Sequence, residues 1–199
     1  MGNQLAVLVF HADSDSELID YDTFKHSEKE AEWAFKKIES LVKEGKMAVE
    51  SGTIVVKREG GKVSLKKTSE WTAKSGGRRG AFWGLLVGLI FGGPILGLLG
   101  GLGVGRLLGG KKHQPIDREF MKELGKSMKP NDAALFLLIE EGDAATLEQL
   151  LSFDATLYTT VLTEDAKEAI DNAAKDEEVL AAPVSYTHLT LPTTDVVGC

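Results

Sequence analysis

From Gly80 to Gly105 the chain runs for 26 residues without a charged side chain. Glycine recurs there at every fourth position in two registers: Gly80, Gly84, Gly88 and Gly92, then Gly93, Gly97, Gly101, Gly105 and, just past the run, Gly109. Four-residue spacing lines each set along one face of a helix. In water this much glycine weakens a helix by up to ~1 kcal/mol per residue. In lipid an unpaired backbone group costs several kcal/mol, so the helix persists, and a row of small residues lets two helix backbones approach closely. The register changes at Gly92-Gly93-Pro94, where the pattern predicts a turn between two glycine-zipper arms.

Length decides how such a hairpin could meet a bilayer. At ~1.5 Å per residue, Gly80–Gly92 reaches ~20 Å and Ile95–Gly109 ~22 Å, against a hydrocarbon core of ~30 Å. Neither arm spans comfortably alone. A hairpin that enters and leaves on one side fits better, with the rest of the chain on that side. Arg78 and Arg79 precede the run, while Arg106, Lys111 and Lys112 follow it. Basic residues on both flanks place both flanks on the cytoplasmic side of the inner membrane by the positive-inside rule. Phe82 and Trp83 lie near the first flank, where aromatic anchors are common. The same segment would also serve as the packed core of a soluble homo-oligomer, because apolar runs of 10–14 residues are often core helices.

The remaining sequence reads as alternating strands and helices. Leu5–Phe10 (LAVLVF) is a short apolar run of the kind found in a central strand. Ser27-x-x-Glu30 has the form of a capping box, and Ala31, Ala34, Phe35, Ile38, Leu41 and Val42 follow helical spacing up to Gly45. Thr53–Lys57 and the alternating stretch from Val63 form a hairpin about Glu59-Gly60-Gly61-Lys62. Beyond the glycine segment come an amphipathic helix over Asp117–Met128, a strand over Ala133–Ile139, a helix after Asp143 and a strand over Ala155–Leu162. A last helix opens at Thr163-Glu164-Asp165.

The implied fold is α+β. A ferredoxin-like antiparallel sheet carries helices on one face, and an apolar helical hairpin is inserted in its middle. Residues 1–75 form the first half of this domain, 76–110 the hairpin and 111–183 the second half. The segment 184–199 stands apart: Val184 to Thr193 (VSYTHLTLPT) resembles a translated sequencing adapter, and is set aside from fold reasoning. It contains the single cysteine, Cys199, so neither a disulfide framework nor a cysteine metal site is expected. A net charge of −7 argues against a nucleic-acid partner.

Chemical motifs are sparse. Gly105-x-x-x-x-Gly110-Lys111 approaches a phosphate-binding loop, but Lys112 stands where Ser or Thr is required and no strand precedes it. No GxGxxG dinucleotide fingerprint occurs. His11, Asp13 and Asp15 cluster after the first strand, and a metal or acid–base role there competes with a plain polar loop. His26 and His113 are isolated. No catalytic, cofactor or metal residues are assigned, and no enzyme activity or small-molecule substrate is expected.

Three stretches together carry a resemblance: GAFWGLLVGLIFGGPILGLLGG over Gly80–Gly101, DREFMKELGKSMKPNDAALFLLI over Asp117–Ile139, and TVLTEDA over Thr160–Ala166. They resemble the bacterial and archaeal family known as domain of unknown function 1269, over roughly Ala31 to Ala182. The resemblance implies a membrane-associated protein with an embedded glycine-rich hairpin and no established activity. The expectation is therefore a cytoplasm-facing α+β domain held at the lipid bilayer, homo-oligomeric through its hairpin, with a structural, regulatory or stress-related role. The alternative is a soluble homo-oligomeric binding module that uses the hairpin as its interface.

Overall fold

A computed structural model describes residues 3–12, 26–71, 79–91, 116–140, 147 and 155–175. Their elements are β1 (Asn3–Phe10), α1 (His26–Lys43), β2 (Val49–Lys57), β3 (Val63–Glu70), α2 (Arg79–Phe91), α3 (Arg118–Ser127), β4 (Ala133–Glu140), β5 (Ala155–Leu162) and α4 (Glu164–Ala173). The five strands form one sheet in the order β3-β2-β4-β1-β5. Every neighbouring pair is antiparallel. The fold is α+β. Strands from before and after the glycine segment interleave, since β4 lies between β1 and β2.

The two central strands explain the layering. In β1 every side chain from Leu5 to Phe10 is buried, and β4 is buried from Ala133 to Ile139. Successive strand residues point to opposite faces, so a continuously apolar strand needs cover on both sides. One layer joins Leu5, Val7, Val9, Phe136 and Leu138 to α2, α3 and α4. The other joins Ala6, Leu8, Phe10, Leu135 and Leu137 to α1. Helices therefore cover both faces, and the sequence expectation of a single helical face is corrected.

Local signals account for most element ends. Helix α1 closes on Gly45, which takes φ +68°. Its N–H donates to Val42 O at 3.0 Å and the Lys46 N–H to Leu41 O at 2.9 Å, the paired bonds of a Schellman cap. Asp117 caps α3 by accepting from Glu119 N and Phe120 N. Thr163 caps α4 through Ala166 N. The expected capping box at Ser27 is replaced. The buried Ser27 hydroxyl donates instead to Asn131 O at 2.8 Å, joining the start of α1 to the turn before β4. The helix expected after Asp143 lies outside the described residues except for Leu147, which is buried in the α1 layer.

Candidate functional site

Two places merit chemical scrutiny: the outer surface of α2, where the glycine segment begins, and the corner where β1 meets β4.

Helix α2 has the sequence RGAFWGLLVGLIF and is ~20 Å long at ~1.5 Å per residue. Its large side chains recur on one side. Phe82, Trp83, Leu86, Val87 and Ile90 are all buried in the layer shared with α3 and α4. The Trp83 ring meets Phe82 edge-on with centroids 5.5 Å apart, and Phe136 of β4 at 6.3 Å. Phe82 and Trp83, expected at a membrane flank, are both fully buried in the protein core. Trp71 packs on the opposite layer with its ring 5.1 Å from Phe35.

The other side of α2 is made of small and aliphatic residues. Gly80 and Gly84 are exposed, while Ala81, Leu85, Gly88 and Leu89 are half-buried. A Cβ added at Gly80 or Gly84 would meet nothing within 4 Å. These two glycines are thus not needed for packing within the described domain. An outward helix surface usually carries charge; from Gly80 onward this one carries none, which leaves it suited to an apolar neighbour. No helix of the described residues is long and apolar enough to cross a membrane.

Several expected hairpin residues lie outside the described residues: Arg78, Gly92, Gly93, Pro94, Gly97, Gly101, Gly105, Arg106, Lys111 and Lys112. Arg79 contributes the first residue of α2.

The β1–β4 corner is built on Asp132, a carboxylate only 1% exposed. Its Oδ1 accepts from Ala12 N at 2.9 Å, and its Oδ2 from Lys129 N at 2.7 Å. The same Oδ2 lies 2.8 Å from His11 Nδ1. Asn131, at φ +72°, turns the chain so that Asp132 faces the end of β1. Lys57 adds a second clamp: its ammonium donates to Met128 O at 2.6 Å, at the C-terminal end of α3.

This corner brings His11 to Asp132; Asp13 and Asp15 lie outside the described residues. Sequence reasoning missed Asp132, which is 121 positions from His11. Only the Pro130-Asn131-Asp132 turn pattern hints at it. Chemically, the carboxylate fixes the imidazole and leaves Nε2 as its other nitrogen. Among the described residues no group of three or more His, Cys, Asp or Glu could hold a metal. Its three hydrogen-bond partners give Asp132 a sufficient role as a structural acceptor.

Searches among curated proteins and among solved structures found no match. Residues 78–175, from the start of α2 through α4, match the family described as protein of unknown function, DUF1269. Residues 78–175 therefore form a segment of that family.

Proposed function

We propose that this chain is a non-catalytic, membrane-associated protein of structural or regulatory role, with its α+β body on the cytoplasmic side. The observation that carries the reading is the uncharged outer side of α2 at the head of a 26-residue uncharged run, with Arg78 and Arg79 before it and Arg106, Lys111 and Lys112 after it. Among the described residues the core buries Phe82, Trp83, Leu86, Val87 and Ile90 of α2, with Leu85 and Phe91 partly packed against it, and leaves Gly80 and Gly84 exposed. The body then carries α2 as a platform, and the uncharged segment that follows supplies the apolar contact with the bilayer. Basic flanks add attraction to anionic headgroups.

A second reading, a soluble homo-oligomer, draws support from the glycines themselves. Gly80 and Gly84 offer lipid almost no side-chain area, whereas their open surface admits a helix at close range.

Fractionation of the full chain in a bacterial host, with carbonate and high-salt washes, tests the proposal. Retention through both washes supports insertion, and release by salt alone supports surface attachment. A wholly soluble particle of defined mass without detergent would overturn the membrane reading and favour the oligomer.

A further inference from the structure

The two edges of the sheet are treated differently by the sequence. At one edge, β3 exposes Lys66 and Lys67, and its ladder with β2 is broken by a register shift at Ile54/Val55. Charged side chains and bulges of this kind discourage another strand from adding. At the other edge, β5 reads ATLYTTVL. It has no charge, no proline and no glycine. Its ladder with β1 runs without a shift from Asn3↔Leu162 to Phe10↔Ala155. Among the described residues only β1 pairs with it, so no described strand takes up the N–H and C=O groups along its outer side.

Side chains along this edge are suited to pairing. Register against β1 places Thr156, Tyr158, Thr160 and Leu162 on the α2 face, and Ala155, Leu157, Thr159 and Val161 on the α1 face. Thr156, Thr159 and Val161 are exposed, with Val161 at 55%. β-Branched and aromatic residues stabilise cross-strand pairs, and threonines opposite one another can share a hydrogen bond.

We propose that β5 is a dimerisation edge, pairing antiparallel with β5 of a second copy of this chain to give a continuous ten-stranded sheet. The occupant follows from symmetry and charge. An antiparallel edge-to-edge contact is self-complementary about a two-fold axis, and it removes the unprotected edge of both copies at once. The axis stands perpendicular to the sheet, so opposed residues share a face and the register centres on a residue. Centring on Tyr158 or Thr159 opposes only uncharged residues of the strand. This surface is separate from the α2 face and does not depend on the membrane reading.

The test uses the full chain, in mild non-ionic detergent where it is membrane-bound. Light scattering should give the wild type an even number of 21.5 kDa chains. The double variant Thr159→Lys/Val161→Lys should halve that mass with an unchanged circular-dichroism spectrum. A monomeric wild type at micromolar concentration overturns the proposal, as does a folded double variant of unchanged mass, which would assign assembly to another surface. Single cysteines at Thr156, Tyr158, Thr159 and Val161, each in a Cys199→Ser background, provide a second readout that needs no charged substitution. Directly opposed residues have Cα atoms 4.5–5.5 Å apart, within disulfide range. Oxidation should cross-link the cysteine nearest the axis and leave a Trp33→Cys control monomeric. Absence of cross-linking at all four positions also overturns the proposal.

Discussion

His11 Nδ1 and Asp132 Oδ2 meet at 2.8 Å across 121 residues of chain, joining the end of the first strand to the start of the fourth. The two residues are unequal. Asp132 is 1% exposed on its side chain and His11 44%. Asp132 also satisfies two backbone N–H groups, those of Ala12 and Lys129. The carboxylate is thus the hub of the corner, and the histidine one of its three partners.

That inequality sets the first prediction. Asp132→Ala leaves two backbone donors without their acceptor and should cost about 2–4 kcal/mol of stability. Asp132→Asn keeps one acceptor oxygen and should cost about half as much. His11→Ala removes one half-exposed contact and should cost about 1 kcal/mol or less. Urea unfolding of the three variants checks the order. A loss from His11→Ala as large as that from Asp132→Ala would show that the histidine is the hub.

The glycines of this chain separate into two kinds that a stability measurement can distinguish. Gly45 holds φ +68° in the Schellman cap, with nothing within 4 Å of an added Cβ. Gly45→Ala should therefore destabilise by about 1 kcal/mol through conformation alone. Gly84 has equally open space but lies within α2 and has no positive φ. Gly84→Ala should stabilise the domain by about 0.5–1 kcal/mol, because alanine is the better helix former. Melting curves of the two variants should shift in opposite directions. A loss at Gly84 comparable to that at Gly45 would mean its bare backbone is already in contact with a neighbouring helix.

Gly52 is bare for a third reason, close approach. A Cβ there would come within 2.8 Å of Leu137 Cδ2 and 2.9 Å of Trp71 Cζ3. The strand can accept Gly52→Ala only if both Leu137 and the indole move, which should cost about 1–2 kcal/mol. The indole should also report the shift. Trp71 fluorescence should change with Gly52→Ala and remain unchanged with Gly45→Ala, measured with Trp33 and Trp83 replaced by Phe in both backgrounds. An unperturbed Trp71 signal would place the indole away from Gly52.

Much of the fold was legible from residue types. LAVLVF read as a central strand and AALFLLI as a strand because they are apolar without interruption, and both occupy the interior of the sheet. The same fact requires cover on both faces, which the expectation of a single helical face overlooked. Which helix covers which face depended on a pairing register that no local pattern states. Helix α2 was harder to read for a different reason. It is apolar all round, so hydrophobicity alone cannot separate lipid contact from core. The structure sorts its residues by size instead: Phe82, Trp83, Leu86, Val87 and Ile90 are buried, and Gly80 and Gly84 are exposed. The Asp132 corner was invisible because its partners His11, Ala12 and Lys129 become neighbours only through strand pairing.

Lys57 offers a last prediction, in which chemistry rather than packing decides. It stands at the end of β2, and its ammonium reaches Met128 O at 2.6 Å and Gly125 O at 3.4 Å. These carbonyls belong to the last turn of α3, where helix carbonyls lack intrahelical partners and carry partial negative charge. Lys57→Met keeps most of the apolar stem but removes the donor and the charge, and should cost about 1–2 kcal/mol. Lys57→Arg retains both and should recover much of the loss, limited by the geometry of the larger guanidinium. Hydrogen exchange gives the readout specific to this contact. Amides near the C-terminus of α3 should exchange faster in Lys57→Met, while those of β1 and β4 change only as much as global stability requires. Equal acceleration across α3 and the central strands would mean that Lys57 acts through packing of the sheet and not as a cap on the helix.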